Sequence, residues 1–502
     1  MRLGRNLLVG LANSGWSALI GLAVVPLYLK YLGLESYGLI GFFATTQALF
    51  QLLDMGMAPT VNREIARCAV SGNMREARNL LHTLAVIYWS LAAAIVLLVF
   101  ILAPVISQYW LQSKKLSPDT ISHAVILMGL VVATRWPVGL YQGALMGAQR
   151  LAVSSGINMA MVTLGSLGAV VVLAYVSPTV EAFFIWQAAV GLAYAEVMRR
   201  AAWRVVGVEK PQQFDWGSLK RVWRFSAGIS VVALSGVIFT QIDKVILSKL
   251  LGLEEFGQYM LATLVVSGLY VLVTPLFNVV YPRFSALVAN GNTQQLSDLY
   301  RLCTRILASV LFPLAMLLAL FAKDLVTVWT GNAVIGAGVA PVITLLAIGS
   351  ALHGVMYLPY ALQLAYGETR LPVFITLTLI ALLVPLIVLL TLNRGAQGAA
   401  LAWLVLHVVY MIIGTWVTHR YLLKGLAIRW ISQDVGIPLA ATVFVGLLGS
   451  RTIQFAGGSA VGRLLFGTIL AFAAMMLSVA LSPKLRAIVL NKLGWIKSSE
   501  TI

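Results

Sequence analysis

An all-α integral membrane protein is the fold class this sequence predicts: about fourteen transmembrane helices, arranged as two parallel six-helix repeats followed by two C-terminal helices. Three observations predict it. First, 60% of the residues are hydrophobic and 10% charged, with a mean hydropathy of +0.91, whereas a soluble domain carries about 25% charge. Second, the formal charge of +18 is not gathered in one basic domain; Lys and Arg fall between apolar spans, which excludes a nucleic-acid binder. Third, the chain repeats itself. Lys30 matches Lys249, Glu35 matches Glu254, Gly72-Asn73 matches Gly291-Asn292, Trp110 matches Trp329 and Tyr141 matches Tyr360, all at an offset of 219 residues. Gly147-x-x-Arg150-Leu151 matches Gly367-x-x-Arg370-Leu371 at 220. The repeat unit holds six spans, an even number, so both copies take the same orientation about an axis along the membrane normal.

Hydropathy places the spans at 7–29, 37–61, 80–106, 121–147, 152–176, 179–197, 225–251, 259–281, 299–322, 338–366, 371–392, 398–418, 435–449 and 464–481. The first is too long for a signal-peptide core and shows no cleavage pattern, so it reads as an uncleaved helix. Of the Lys and Arg residues, 25 lie on one side of these spans and 8 on the other, with Arg135 and Lys244 inside them. The positive-inside rule then puts both termini in the cytoplasm. Trp203, Trp216, Trp223, Trp416, Trp430 and Trp495 mark the inner interface, and Trp110 and Trp329 the outer one. Pro26, Pro59, Pro137, Pro275, Pro282, Pro313, Pro359 and Pro385 interrupt the spans and predict bent helices.

The domain organisation follows. Residues 1–206 form a first six-helix lobe and 225–424 a second. Between them, 207–224 is a cytoplasmic linker ending in an interfacial helix on which Trp216, Leu219, Val222 and Trp223 share a face. Residues 425–502 hold helices 13 and 14 and a basic tail from Lys484 to Lys497.

Catalytic chemistry has no foothold. The loops are short, the five histidines are scattered, and no Gly-rich phosphate loop is present. The two cysteines suggest neither a disulfide framework nor a metal site. No enzyme, metal or cofactor is expected. What remains is intramembrane charge, which costs about 2.5–3.5 kcal/mol per residue on insertion scales. Arg135 lies mid-way along the fourth span, Asp54 in the inner half of the second, and Asp243-Lys244 in the outer part of the seventh. Neighbours on a helix point apart, so Asp243 and Lys244 need not neutralise each other. Two buried cations with few anions nearby suit an anionic ligand, so Arg135 and Lys244 are candidate substrate contacts; Asp54 and Asp243 are candidates for ion coupling or helix pairing. Lys30 and Lys249 close equivalent helices and are candidates for the mouth of a cavity.

Motifs add a resemblance. Pro26-Leu27-Tyr28-Leu29-Lys30-Tyr31-Leu32-Gly33, Tyr37-Gly38, Asp54-x-Gly56 and Asn62-Arg63 resemble the opening hairpin of the Wzx-type polysaccharide-export flippases of the multidrug/oligosaccharidyl-lipid/polysaccharide superfamily. Gln241-Ile242-Asp243-Lys244 with Leu251-Gly252 is similar to the seventh-span signature of the same group. The resemblance implies two lobes forming a V around a central cationic cavity, to which Arg63 and Lys244 would belong. It implies alternating-access transfer of an undecaprenyl-pyrophosphate-linked oligosaccharide, an O-antigen or other surface-polysaccharide unit, from the cytoplasmic to the periplasmic leaflet of a bacterial inner membrane. The partners it implies are the lipid-linked oligosaccharide, membrane lipids, a polysaccharide polymerase and a chain-length regulator, with no nucleic acid. The alternatives are a multidrug or metabolite antiporter of the same superfamily and a non-transporting scaffold of a polysaccharide assembly complex.

Overall fold

The computed structural model describes residues 2–54, 56–207, 214–452 and 458–492, and all its named elements are helical. They are α1 (Arg2–Phe50), α2 (Met57–Ser71), α3 (Met74–Val105), α4 (Pro118–Arg135), α5 (Val138–Gly147), α6 (Leu151–Tyr175), α7 (Val180–Val206), α8 (Trp216–Leu250), α9 (Leu253–Ser267), α10 (Tyr270–Ala289), α11 (Thr293–Thr330), α12 (Ala333–Ala365), α13 (Arg370–Tyr421), α14 (Ala427–Arg429), α15 (Gly436–Thr452), α16 (Ala460–Ala480) and α17 (Pro483–Lys492). Single π-helical turns cover Ile106–Trp110 and Trp430–Val435.

Eleven helical stretches among the described residues are long and apolar enough to cross a membrane. Two of them carry two predicted spans each. In α1 the chain bends at Gly33 (φ 76°, ψ 179°), and in α13 at Gly395 (φ 55°, ψ −140°), conformations a side chain would resist. The seventh predicted span lies in α8. The protein is a multi-pass, all-α membrane protein.

The chain divides into two compact units, Met1–Gly257 and Gln258–Ile502. The boundary falls after α8, so α8 counts with the first unit, whereas the repeat places it at the head of the second copy. The segment read as an interfacial helix forms the first turns of α8, which runs on to Leu250 without a break. Asp215 caps that helix by accepting from the Gly217 amide at 2.8 Å. The linker residues 208–213, including Lys210 and Pro211, lie outside the described residues, as do the side chains of Leu219, Val222 and Trp223 and, in the tail, Trp495 and Lys497.

Proline placement corrects one expectation. Pro26, Pro275, Pro282, Pro313, Pro359 and Pro385 sit inside continuous helices. Each removes one backbone bond, and the ladder on either side continues. Pro137 alone of the eight coincides with an interruption between helices, the Trp136-Pro137 step from α4 to α5.

Trp430 is fully buried in the protein. Its indole stacks on Tyr300 at 5.9 Å and donates to Thr304 Oγ1 at 2.9 Å, which satisfies its N–H inside the protein. This anchors the π-helical turn 430–435 to α11. Beside it, Asp434 is wholly buried and accepts from Arg301 Nε at 2.7 Å and Arg305 Nε at 2.5 Å. One carboxylate therefore holds two guanidinium groups of α11, and Gln433 accepts from Arg301 Nη2 at 3.0 Å. Lys484 of α17 reaches Asp298 of α11 at 2.6 Å.

The repeat shows in local detail. Gly72 and Gly291 both have positive φ. The following asparagines cap the next helix in the same way: Asn73 accepts from the Glu76 amide at 3.3 Å and Asn292 from the Gln295 amide at 3.1 Å. Gly38 lies against the carbonyl of Leu253, and Gly257 against the carbonyl of Leu34.

Candidate functional site

The first unit holds an open cavity of about 730 Å³, walled by α1, α4, α5, α6 and α7 and by Gln51, Asp54 and Ala58. Arg135 lines it at the end of α4, where Pro137 stops the helix. Arg135 Nη2 donates to Gln187 Oε1 of α7 at 2.6 Å, and Gln187 Nε2 donates to the Gly165 carbonyl of α6 at 3.3 Å. The two bonds use both ends of the amide, so its orientation is determined and Arg135 is held by a braced partner. No ion pair neutralises Arg135 among the described residues.

Apart from Asp54, the rest of the polar wall is neutral. Tyr28 Oη donates to the Ser166 carbonyl at 3.0 Å, and Tyr194 Oη donates to Asn158 Oδ1 at 2.7 Å. Gln47, Gln51 and Gln142 also line the cavity. Sequence reasoning followed charge and missed these amides. The signal was there: Gln47 and Gln51 stand four residues apart in an apolar span, where an amide also needs a reason.

Asp54 lines the same cavity. Its carboxylate accepts from Tyr88 Oη and, at 3.3 Å, from the Ala58 amide at the start of α2. That is a favourable place for negative charge at a helix N-terminus.

The other expected site residues are elsewhere. Lys244 does not line the cavity; its Nζ lies 3.1 Å from both oxygens of Asp243 and donates to the Thr240 carbonyl at 2.7 Å. The two neighbours, which helix geometry left free to point apart, form an ion pair. The flexible lysine stem folds back onto its own helix, and Asp243 is only 2% exposed. Arg63 is exposed on α2, 3.8 Å from Glu64, and is not on the cavity wall. Lys30 is exposed, with its Nζ 5.5 Å from the centre of the Tyr31 ring. Lys249 behaves differently from its repeat partner: it donates to the Tyr109 carbonyl and sits 5.9 Å from the centre of the Trp110 ring.

Nor are the histidines all scattered. His353 and His407 stand with ring centroids 4.7 Å apart in the second unit, and Tyr270 Oη is 2.7 Å from His353 Nδ1.

A family model described as polysaccharide biosynthesis protein matches residues 3–288, more than half of the chain. The chain belongs to the polysaccharide biosynthesis protein family. No curated protein matches it significantly. Solved structures share the fold of this family member at low identity. A lipid II flippase MurJ in an inward closed conformation is 14% identical, with a TM-score of 0.66 over 97% of this chain and 99% of that one. A multidrug resistance MATE family transporter of the MOP superfamily, inward-facing, is 15% identical, with a TM-score of 0.65 over 80% and 95%. The Vibrio cholerae MATE transporter VcmN, carrying a single substitution, is 14% identical with a TM-score of 0.53 over 83% and 98%. Membership in the polysaccharide biosynthesis family and this fold agree with the resemblance read from the motifs.

Proposed function

We propose that the protein is a flippase that carries an undecaprenyl-pyrophosphate-linked oligosaccharide from the cytoplasmic to the periplasmic leaflet of a bacterial inner membrane, with both termini in the cytoplasm. The observation that carries this reading is Arg135, a cation with no ion pair among the described residues, on the wall of a cavity whose other polar groups are amides, hydroxyls and the Asp54 carboxylate, which is already engaged by Tyr88 and the Ala58 amide. A pyrophosphate must leave water to cross the bilayer. A fixed guanidinium in a low-dielectric cavity replaces part of its hydration, at well over the ~1 kcal/mol a charge pair is worth in water at 4 Å. Arg also offers parallel donors to phosphate oxygens, and amides suit the hydroxyl groups of sugars. The multidrug-antiporter alternative asks for a site that receives a cation; Asp54 is the carboxylate on this wall, but it already accepts from Tyr88 and the Ala58 amide, whereas Arg135 has no ion pair among the described residues, which favours an anionic ligand. Family membership in polysaccharide biosynthesis supports the same direction. Deleting the gene tests it: a lipid-linked oligosaccharide intermediate should accumulate on the cytoplasmic face, and its absence there would remove the proposal.

A further inference from the structure

The wall that carries Arg135 has a counterpart in the second unit, and its chemistry is different. At the repeat offset of 219, Ala58 answers to Phe277, Val138 to Tyr357, Tyr141 to Tyr360 and Gln51 to Tyr270. Arg135 answers to Gly354, and Asp54 to Val273. A Cβ placed on Gly354 would meet Leu311 and, at 3.1 Å, Val273. The second unit has thus closed over the charged positions and put aromatic rings at the neighbouring ones.

These rings form a defined surface on α10 and α12. Phe277 is stacked on Tyr281 (centroids 5.8 Å, interplanar angle 9°) and on Tyr360 (5.7 Å, 16°). Tyr357 meets Phe277 edge-on at 6.0 Å. Phe277, Tyr281, Tyr357 and Tyr360 are each only partly buried, so part of the stack faces outward from the helices. Behind them, Tyr270 and His353 brace Tyr357 from within, at 6.1 Å and 5.4 Å. Lipid tails offer nothing to a group of phenolic hydroxyls, and burying such a group without partners costs about 1–3 kcal/mol by mutational data. Parallel aromatic faces ringed by hydroxyls suit a ligand with apolar faces and polar edges, which is the character of a pyranose ring.

Resting on the flippase reading, we propose that Phe277, Tyr281, Tyr357 and Tyr360 form a saccharide platform on the second unit, which takes sugar rings of the substrate by stacking. The two copies of the repeat have kept different chemistry. A guanidinium recognises the part common to every lipid-linked unit. Aromatic faces recognise sugar rings through contact area and tolerate differences among them.

The test compares two probes on the full chain in lipid nanodiscs: undecaprenyl pyrophosphate and the same lipid bearing a disaccharide. Tyr360→Ala and Phe277→Ala should leave binding of undecaprenyl pyrophosphate unchanged and weaken the disaccharide-bearing lipid by about threefold to tenfold each, the worth of one aromatic contact. Tyr360→Phe, which keeps the ring and removes the hydroxyl, should restore most of the difference. Thermal unfolding of each variant shows whether it folds as the parent does, and Tyr360→Phe is the conservative fallback if Ala does not fold. Equal binding of the two probes by the parent protein, or an equal loss for both probes in a folded Ala variant, overturns the platform. Failure of the flippase reading looks different: neither probe binds, or binding is indifferent to Arg135.

Discussion

Gly38 and Gly257 are each other's image: Gly38 lies against the carbonyl of Leu253, and Gly257 against the carbonyl of Leu34. Both pairs are related by the repeat offset of 219 residues, so one contact is the other with the copies exchanged. A Cβ at either glycine would overlap the facing carbonyl oxygen, and a backbone oxygen cannot swing aside as a side chain can. The phrase Tyr37-Gly38, repeated as Phe256-Gly257, exists to let two backbones meet.

Gly38→Ala and Gly257→Ala should therefore each lower the unfolding temperature in detergent, at an overpacking cost of about 1–3 kcal/mol. Gly156→Ala, where a Cβ meets open space, is the control and should change little. Equal melting of all three proteins would show that the contact yields.

Arg135 is the site residue with the sharpest expected phenotype. Arg135→Lys keeps the charge but loses the fork that reaches both Gln187 and a phosphate, so export should fall with membrane abundance unchanged. Arg135→Ala should stop export at normal abundance. Abundance falling in step with export would make Arg135 a structural residue.

Lys244 is expected to behave in the opposite way. Its Nζ is committed to Asp243 and to the Thr240 carbonyl, so Lys244→Ala leaves the Asp243 carboxylate without its neighbouring cation. Breaking one side of a buried pair costs about 3–5 kcal/mol, and the folded amount should drop. The double change Asp243→Asn with Lys244→Gln should recover much of it. Quantitative immunoblotting of membranes reads both. Normal abundance with lost export in Lys244→Ala would return Lys244 to the substrate.

The turns Gly72-Asn73 and Gly291-Asn292 should be reached from the same side of the membrane, the cytoplasmic side by the charge bias. Single cysteines placed at Asn73 and Asn292 should resist an impermeant thiol reagent in intact cells and react in inverted vesicles; the native Cys68 and Cys303 are buried and add little background. Labelling of one turn from each side would break the parallel repeat.

Much of this fold could be read from residues alone because bilayer crossing is written in composition. Among the described residues the predicted spans lie mostly on helices, with breaks inside the second, fourth and eighth, since an apolar run that must satisfy its own backbone has few other choices. The breaks were harder. Proline looked like the interruption, yet α1 and α13 leave helical geometry at Gly33 and Gly395, where a positive φ redirects the chain. In the site, Arg135 was legible as a lone intramembrane cation. Lys244 was misleading, since spacing along a helix says nothing of how far a lysine stem folds back. The amides were passed over because they carry no charge. The ring cluster around His353 joins α10, α12 and α13, and no local pattern announces such a meeting.

The grip of Asp434 on Arg301 and Arg305 bears on how this chain can change over generations. A gene truncated after Tyr421 would still encode two arginines in α11 and would have lost the carboxylate and the amide that receive them. The last two helices therefore cannot be shed in one event, even though a twelve-helix pair of repeats is complete without them. Shortening requires both arginines to be replaced first or in the same step, and each replacement made alone leaves Asp434 short of a partner. The tail is tied to α11 by an interior pairing of charge, to which the Lys484–Asp298 pair adds at the surface.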